Sequence, residues 1–280
     1  MKNNLVYIIT HKAYKFPKLD CYRVLNVGSN NNCSNNNYLK DNTGDNISYK
    51  NNSYCELTGL YWIWKNDNSN HVGLVHYRRY FVDLKMNFHI NGRHVFVSKK
   101  NKYKILSIDE LENKLNGYDV LVKKSRFSVY SNEKLIKRNL GDELWNNMSE
   151  IIYNNEKKYI EVFDEVSNNH THLNCNMFYG DKMVINEYCK WLFEVLNKID
   201  EKHKEYTNEY YHNRELGYLS EILFEVWLKT NKIKYNIVSV VNIDNYLEVD
   251  GCMNLYEFIK YILIKLSFIT RKGFNHEQHK

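Results

Sequence analysis

The chain is 280 residues long and holds one proline and 11 glycines. That scarcity excludes a collagenous repeat and a Pro/Gly-rich linker between domains. No run approaches the ~18 apolar residues that a membrane-spanning helix needs. The six cysteines show no CxxC pair and no zinc spacing, so reduced thiols are the simplest reading. The first residues, MKNNLVYIITHK, lack a secretory apolar region and cleavage site, and a cytoplasmic location is expected. There is no GxGxxG after the first apolar run and no GxxxxGK[ST], which argues against classical dinucleotide and P-loop chemistry. Net charge is +6, but the basic residues are spread along the chain rather than clustered. A nucleic-acid partner is therefore not expected; mild basicity suits an anionic substrate or lipid surface.

What the chain has in quantity is aromatic residues, with 24 Tyr, 12 Phe and 5 Trp. This excludes a disordered protein. Short apolar runs at residues 5–10 (LVYIIT), 72–77 (VGLVHY), 118–122 (YDVLV), 174–179 and 237–241 read as buried strands. Amphipathic helical patterns fall between them. One spans 53–65, with Ser53 and Glu56 at capping-box spacing, and a short one spans 108–115. Others cover 131–166 with a break near Gly141, then 182–199 and 214–229. A hairpin around Asn91-Gly92 is expected between residues 84 and 104. Alternating strands and helices predict an α/β domain over residues 1–250, with a mainly parallel sheet between helices and a helical C-terminal part. Residues 251–280 form a separate appendage. Its apolar stretch at 255–269, followed by Arg271-Lys272, suits either a core helix or an interfacial helix at the inner face of the membrane.

Ligands of such sheets lie at the carboxyl ends of the strands. Two segments stand at such ends: Thr10-His11-Lys12 and His76-Tyr77-Arg78-Arg79. Adjacent arginines on a strand point to opposite faces, so both reach one ligand only if the strand stops there. Arginine forks suit phosphate oxygens. The plain alternative is one arginine in an ion pair and one in solvent. His170, His172 and Cys175 invite a metal reading, but no second ligand pair has matching spacing, and a loop before a strand is favoured.

The stretches DNTGDNISYKNNSYCELTGLYWIWKN (residues 41–66) and VGLVHYRRYF (residues 72–81) closely resemble a family of bacterial glycosyltransferases from capsular, exopolysaccharide and O-antigen gene clusters. The resemblance continues through THK at 10–12, YDVLV, NMF at 176–178, EYCKWLFEVL at 187–196 and RELGYLSEILFEVWL at 214–228. It implies a GT-A-like nucleotide-sugar-binding fold and transfer from a UDP-sugar donor, with galactofuranose the first choice, to a hydroxyl of a lipid-linked oligosaccharide acceptor. Many GT-A enzymes carry a metal-binding Asp-x-Asp where this chain has His76-Tyr77-Arg78-Arg79, so no divalent metal is expected to be required. On this resemblance Thr10, His11, Lys12, Asp45, Asn46, His76, Arg78 and Arg79 bind the donor, and Asn176, Met177 and Asp181 lie by the acceptor. Arg78 and Arg79 stabilise the leaving diphosphate. Glu221, expected near the start of a helix, is the chosen catalytic base, with Glu215 and Asp181 as competitors. Tyr179-Gly180-Asp181 departs from the family pattern. A non-catalytic glycan-binding or scaffold protein on the same fold is the alternative.

Overall fold

The structure is a computed structural model. It describes residues 4–28, 38–84, 89–90, 93–95, 103–123, 126–207, 209, 211, 213–243, 249–250 and 252–253. The appendage helix expected at 255–269 lies outside the described residues.

The chain starts with β1 (Asn4–Thr10), β2 (Tyr22–Asn26) and β3 (Leu39–Lys40), then α1 (Asn51–Tyr54), α2 (Leu57–Asn66), β4 (His71–His76) and β5 (Arg79–Leu84). Next come β6 (His89–Ile90), β7 (Arg93–Val95), β8 (Tyr103–Ile105), α3 (Ile108–Leu115), β9 (Val120–Lys123) and β10 (Arg126–Phe127). Helices α4 (Asn132–Leu140), α5 (Asp142–Asn155) and α6 (Ile160–Asn168) follow, then β11 (Thr171–His172), β12 (Phe178–Asp181), α7 (Lys182–Thr207) and α8 (Glu215–Thr230). The described chain ends in β13 (Tyr235–Asn242), β14 (Val249–Asp250) and β15 (Cys252–Met253).

The main sheet runs β3-β2-β1-β4-β12-β9-β13-β5-β8, with β14 on β13. Strands β3, β2, β1 and β4 are mutually parallel, as are β9 and β13, while β12 lies antiparallel between β4 and β9. Strand β5 is antiparallel to β13 and β8. An α/β fold is thus present, but the sheet is mixed rather than mainly parallel: along this order four neighbouring pairs are parallel and four antiparallel, because β12 and β5 run against their neighbours. Strands β6 and β7 pair antiparallel with Ile90 opposite Arg93, as the hairpin reading expects.

Alternation along each strand divides the core. Tyr7, Ile9, Val72, Leu74, Val120 and Val122 pack on one face with α2, α5, α6, α7 and α8. Val6, Ile8, Val75 and Leu121 pack on the other with α3 and β5. Because both faces are covered, the strands read as unbroken apolar runs.

Three sequence readings need correction. The single helix expected at 53–65 is broken: Cys55 takes φ 52°, α1 ends at Tyr54, and no capping box forms between Ser53 and Glu56. Asn51 stitches the break by donating Nδ2–H to the Cys55 carbonyl at 2.8 Å and to Thr58 Oγ1 at 2.9 Å. The strand expected at 174–179 begins only at Phe178, because Cys175 (φ 72°) and Asn176 (φ 47°) are both left-handed, which a strand cannot accommodate. The polar helical stretch 131–166 is three helices, with Gly141 at φ 96° making the first break.

Gly180 also finds a reason in packing. A Cβ there would meet the Asp119 carbonyl oxygen at 2.6 Å and Val120 Cα at 2.9 Å, both backbone. Gly180→Ala should therefore destabilise the fold by about 1–3 kcal/mol. Urea unfolding followed by circular dichroism measures it; an unchanged midpoint would show that β12 and β9 can separate without cost.

Candidate active site

The carboxyl ends of β1 and β4 lie side by side, with Ile9 opposite His76. Strand β4 stops at His76, and the turn Tyr77-Arg78 brings Arg79 back opposite His76. The Tyr77 N–H donates to the Ile9 carbonyl at 3.0 Å, and the Arg78 carbonyl accepts from Ile243 N–H at 2.8 Å. Because the strand ends here, both arginines reach one cavity of about 310 Å³, whose wall also holds Thr10, His11, Cys55, Glu56, His76 and Arg214. Arg214 stands in a left-handed conformation just before α8, its N–H donating to the Asn52 carbonyl at 2.9 Å. Lys12 places its ammonium 5.0 Å from the centre of the Tyr77 ring, another wall residue, and His11 meets the same ring edge-on at 5.4 Å.

Burial and these cations act together on the neighbouring groups. His11 is held below its ordinary pKa by burial first, then by Lys12, Arg214 and Arg78. His76 is pushed down to about 3, by burial first and Arg79 next. Its Nε2–H donates to the Cys175 carbonyl at 2.6 Å, which fixes the ring and opposes that fall in part. Glu56, the carboxylate of this wall, is pushed up to about 7, by burial first and with the Glu221 charge adding to it. Asn176 opposes that rise by donating Nδ2–H to Glu56 Oε1 at 2.8 Å. Several cations against one carboxyl whose pKa is raised suit an anionic ligand. They do not suit a divalent cation, and among the described residues no group of three or more His, Cys, Asp or Glu could hold one.

Glu221 lies in the second turn of α8, which starts at Glu215, one residue after the expected start at 214. Its Oε1 accepts the Cys175 N–H at 2.8 Å, and its Oε2 stands 3.5 Å from His172 Nε2. It borders a second cavity of about 710 Å³.

Other expected site residues sit elsewhere. Asp45 and Asn46 lie on the loop beside the far end of α2, where Asn66 donates to the Asp45 carbonyl at 2.8 Å and Asn46 donates to the Gly44 carbonyl at 2.9 Å. Met177 is 1% exposed and belongs to the core. Asn176 is buried and braces Glu56 and α8, donating to Ser220 Oγ at 2.8 Å. Asp181 lies at the opposite edge of the sheet, paired with His71 at the start of β4, and accepts the Met183 N–H at 2.7 Å to open α7. It does not join the cluster. Glu215 accepts the Asn213 N–H at 2.5 Å. Glu56 and Arg214 were missed as site residues by sequence reasoning, although both fall inside the quoted motifs.

Residues 5–232 match the family described as a domain of unknown function, DUF4422. The chain belongs to this family. A solved apo structure of WbbM, a bifunctional glycosyltransferase, is similar to the chain with a TM-score of 0.73 and 25% identity. The match covers 86% of this chain and 45% of WbbM, so the chain spans under half the length of that protein. No curated protein matches the chain. Among the described residues, no helix is long and apolar enough to cross a membrane.

Glu56 makes a measurable mark on stability. Between its ordinary value of 4.5 and about 7, the folded chain holds a proton there that the unfolded chain has released, so stability falls as pH rises through this window. Glu56→Gln keeps the acceptor oxygen and removes the charge. It should raise Tm by about 2–4 °C at pH 8 and leave it unchanged at pH 5, by thermal melting in both buffers. His76 acts in the opposite direction: below pH 6.5 only the unfolded chain takes up the proton, and stability falls as pH drops towards 3.

Proposed function

We propose that this DUF4422 chain is a glycosyltransferase that moves a sugar from a UDP-sugar, with galactofuranose the first choice, to a hydroxyl of a growing lipid-linked surface polysaccharide. The observation that carries the reading is the gathering of Arg78, Arg79 and Arg214 around one cavity at the carboxyl ends of parallel strands. The similarity to a bifunctional glycosyltransferase supports it. The sheet, with parallel pairing from β3 to β4 and between β9 and β13 and with helices packed on it, supports a GT-A-like reading.

In this reaction the acceptor oxygen attacks the anomeric carbon as the bond from that carbon to the diphosphate oxygen breaks. The electron pair leaves on UDP, and the configuration inverts. Charge gathers on the diphosphate, where fixed guanidinium groups stabilise the transition state more than the ground state. Arg78 and Arg79, from one turn, and Arg214, from the start of α8, supply that charge within the protein. Thr10, His11 and Lys12 line the nucleotide side. His76 is neutral and tied to the Cys175 carbonyl, so it holds the turn rather than contributing charge. Glu221 accepts the acceptor proton. The Cys175 N–H and His172 fix its carboxylate, so its oxygens have a defined direction.

A screen of UDP release, with UDP-galactofuranose and UDP-galactopyranose among the donors, tests the reading. Arg78→Ala and Arg79→Ala should each lower turnover by roughly 10²–10³, with melting temperatures retained. Normal turnover in both variants would put the diphosphate elsewhere. A chain that binds UDP but releases none from any donor would be a binding protein on a transferase fold. Transfer should also survive EDTA; full loss restored by Mn²⁺ or Mg²⁺ would overturn the assignment of the metal's work to arginine.

A further inference from the structure

The second cavity is about twice the size of the first, about 710 Å³ against about 310 Å³. Its walls come from the last turn of α4, from His172 on β11, from Asn174 and from the exposed face of early α8. Its chemistry differs from that of the arginine cavity. Ser128, Asn139, His172 and Asn174 offer hydroxyl, amide and imidazole groups, Glu221 offers a carboxylate, and Tyr218 presents a ring that is 40% exposed. The cationic group on this wall, Arg138, is engaged with Tyr130, to whose hydroxyl it donates. Neutral donors and acceptors beside an exposed aromatic face fit a polyhydroxylated, uncharged ligand, with ring C–H groups for the aromatic and hydroxyls for the amides.

Cys175 links wall residues of the two cavities: its N–H donates to Glu221 Oε1 of the second, and its carbonyl accepts from His76 Nε2 of the first. A second link joins the walls, since the Arg214 guanidinium lies 5.7 Å from the centre of the Tyr218 ring. A ligand in the second cavity therefore meets Glu221 within one residue of the donor wall.

We propose that this second cavity is the acceptor subsite and takes the terminal sugar of the acceptor glycan, with its reacting hydroxyl against Glu221. The inference rests on the transferase reading and adds where the acceptor enters and which side chains select it. The hydroxyl proton passes to the Glu221 carboxylate as its oxygen bonds to the anomeric carbon and UDP departs. Asn139 and Tyr218 are the selecting residues, and neither borders the arginine cavity.

The test uses the full chain with octyl β-glucopyranoside and octyl β-galactopyranoside as acceptors in a UDP-release assay, alongside calorimetric binding of UDP. Asn139→Ala and Asn139→Leu should each raise the KM for the octyl glycoside about tenfold or more, with kcat within about threefold. The Kd for UDP should stay within about twofold in both variants. The proposal is overturned if acceptor KM is unchanged in both folded variants, or if the Kd for UDP rises in step with it. It is also overturned if neither glycoside stimulates UDP release by a chain that hydrolyses UDP-sugar alone. A chain that neither binds UDP nor hydrolyses any UDP-sugar fails at the earlier step; the transferase reading then falls and takes this inference with it.

Discussion

The side-chain amide of Asn176 joins segments that the sequence separates by more than a hundred residues. It donates to Glu56 at the corner between α1 and α2, and to Ser220 Oγ and the Gly217 carbonyl in the first turns of α8. The residue itself is buried in a left-handed turn ahead of β12. A buried amide is costly to leave without partners, so the corner, the helix start and the strand start must take up their places together. Cys175, one residue earlier, extends the same junction to His76 and Glu221 through its two backbone groups. Glu56, Glu221 and His76 are therefore each one hydrogen bond from this turn.

That junction also sets the electrostatics. It holds two carboxylates close enough for the Glu221 charge to raise the pKa of Glu56, and it holds one of them beside guanidinium groups. Their surroundings differ. Glu56 takes one amide hydrogen bond in a partly buried wall, whereas Glu221 takes a backbone N–H and faces His172.

Strands β1, β4, β9 and β13, their burial on both faces and the two chemically rich strand ends were legible in the sequence, because apolar runs and strand-end chemistry are local properties; β2, with the exposed Arg23 inside it, was not. Direction was not legible either. Periodicity carries no sign, and β12 runs antiparallel, so residues after Phe178 move away from the site rather than into it. For that reason Asp181 caps α7 at the opposite edge instead of joining Asn176. Glu56 had the spacing of a helix cap from Ser53, and only the left-handed Cys55 turns it into a wall residue. Arg214 looked like an ordinary start to a helix; its value comes from the contact of α1 with α8, which pairs distant segments and leaves no trace in local pattern. Glu221 was read in the right helix but placed too near its start.

The turn between β4 and β5 crosses the sheet. Its first strand belongs with β1 and β12, and its second leaves to pair with β13 over four residue pairs, from Ser239↔Val82 to Asn242↔Arg79. Backbone hydrogen bonds from Tyr77 to β1 and from Ile243 to Arg78 pin it on both sides. The turn is thus a bracket fastened to two halves of one sheet, and moving it would break main-chain bonds in two places at once. On the proposed reading, an anion arriving there meets two arginines whose backbone is already held, so little binding energy goes into reorganising the main chain.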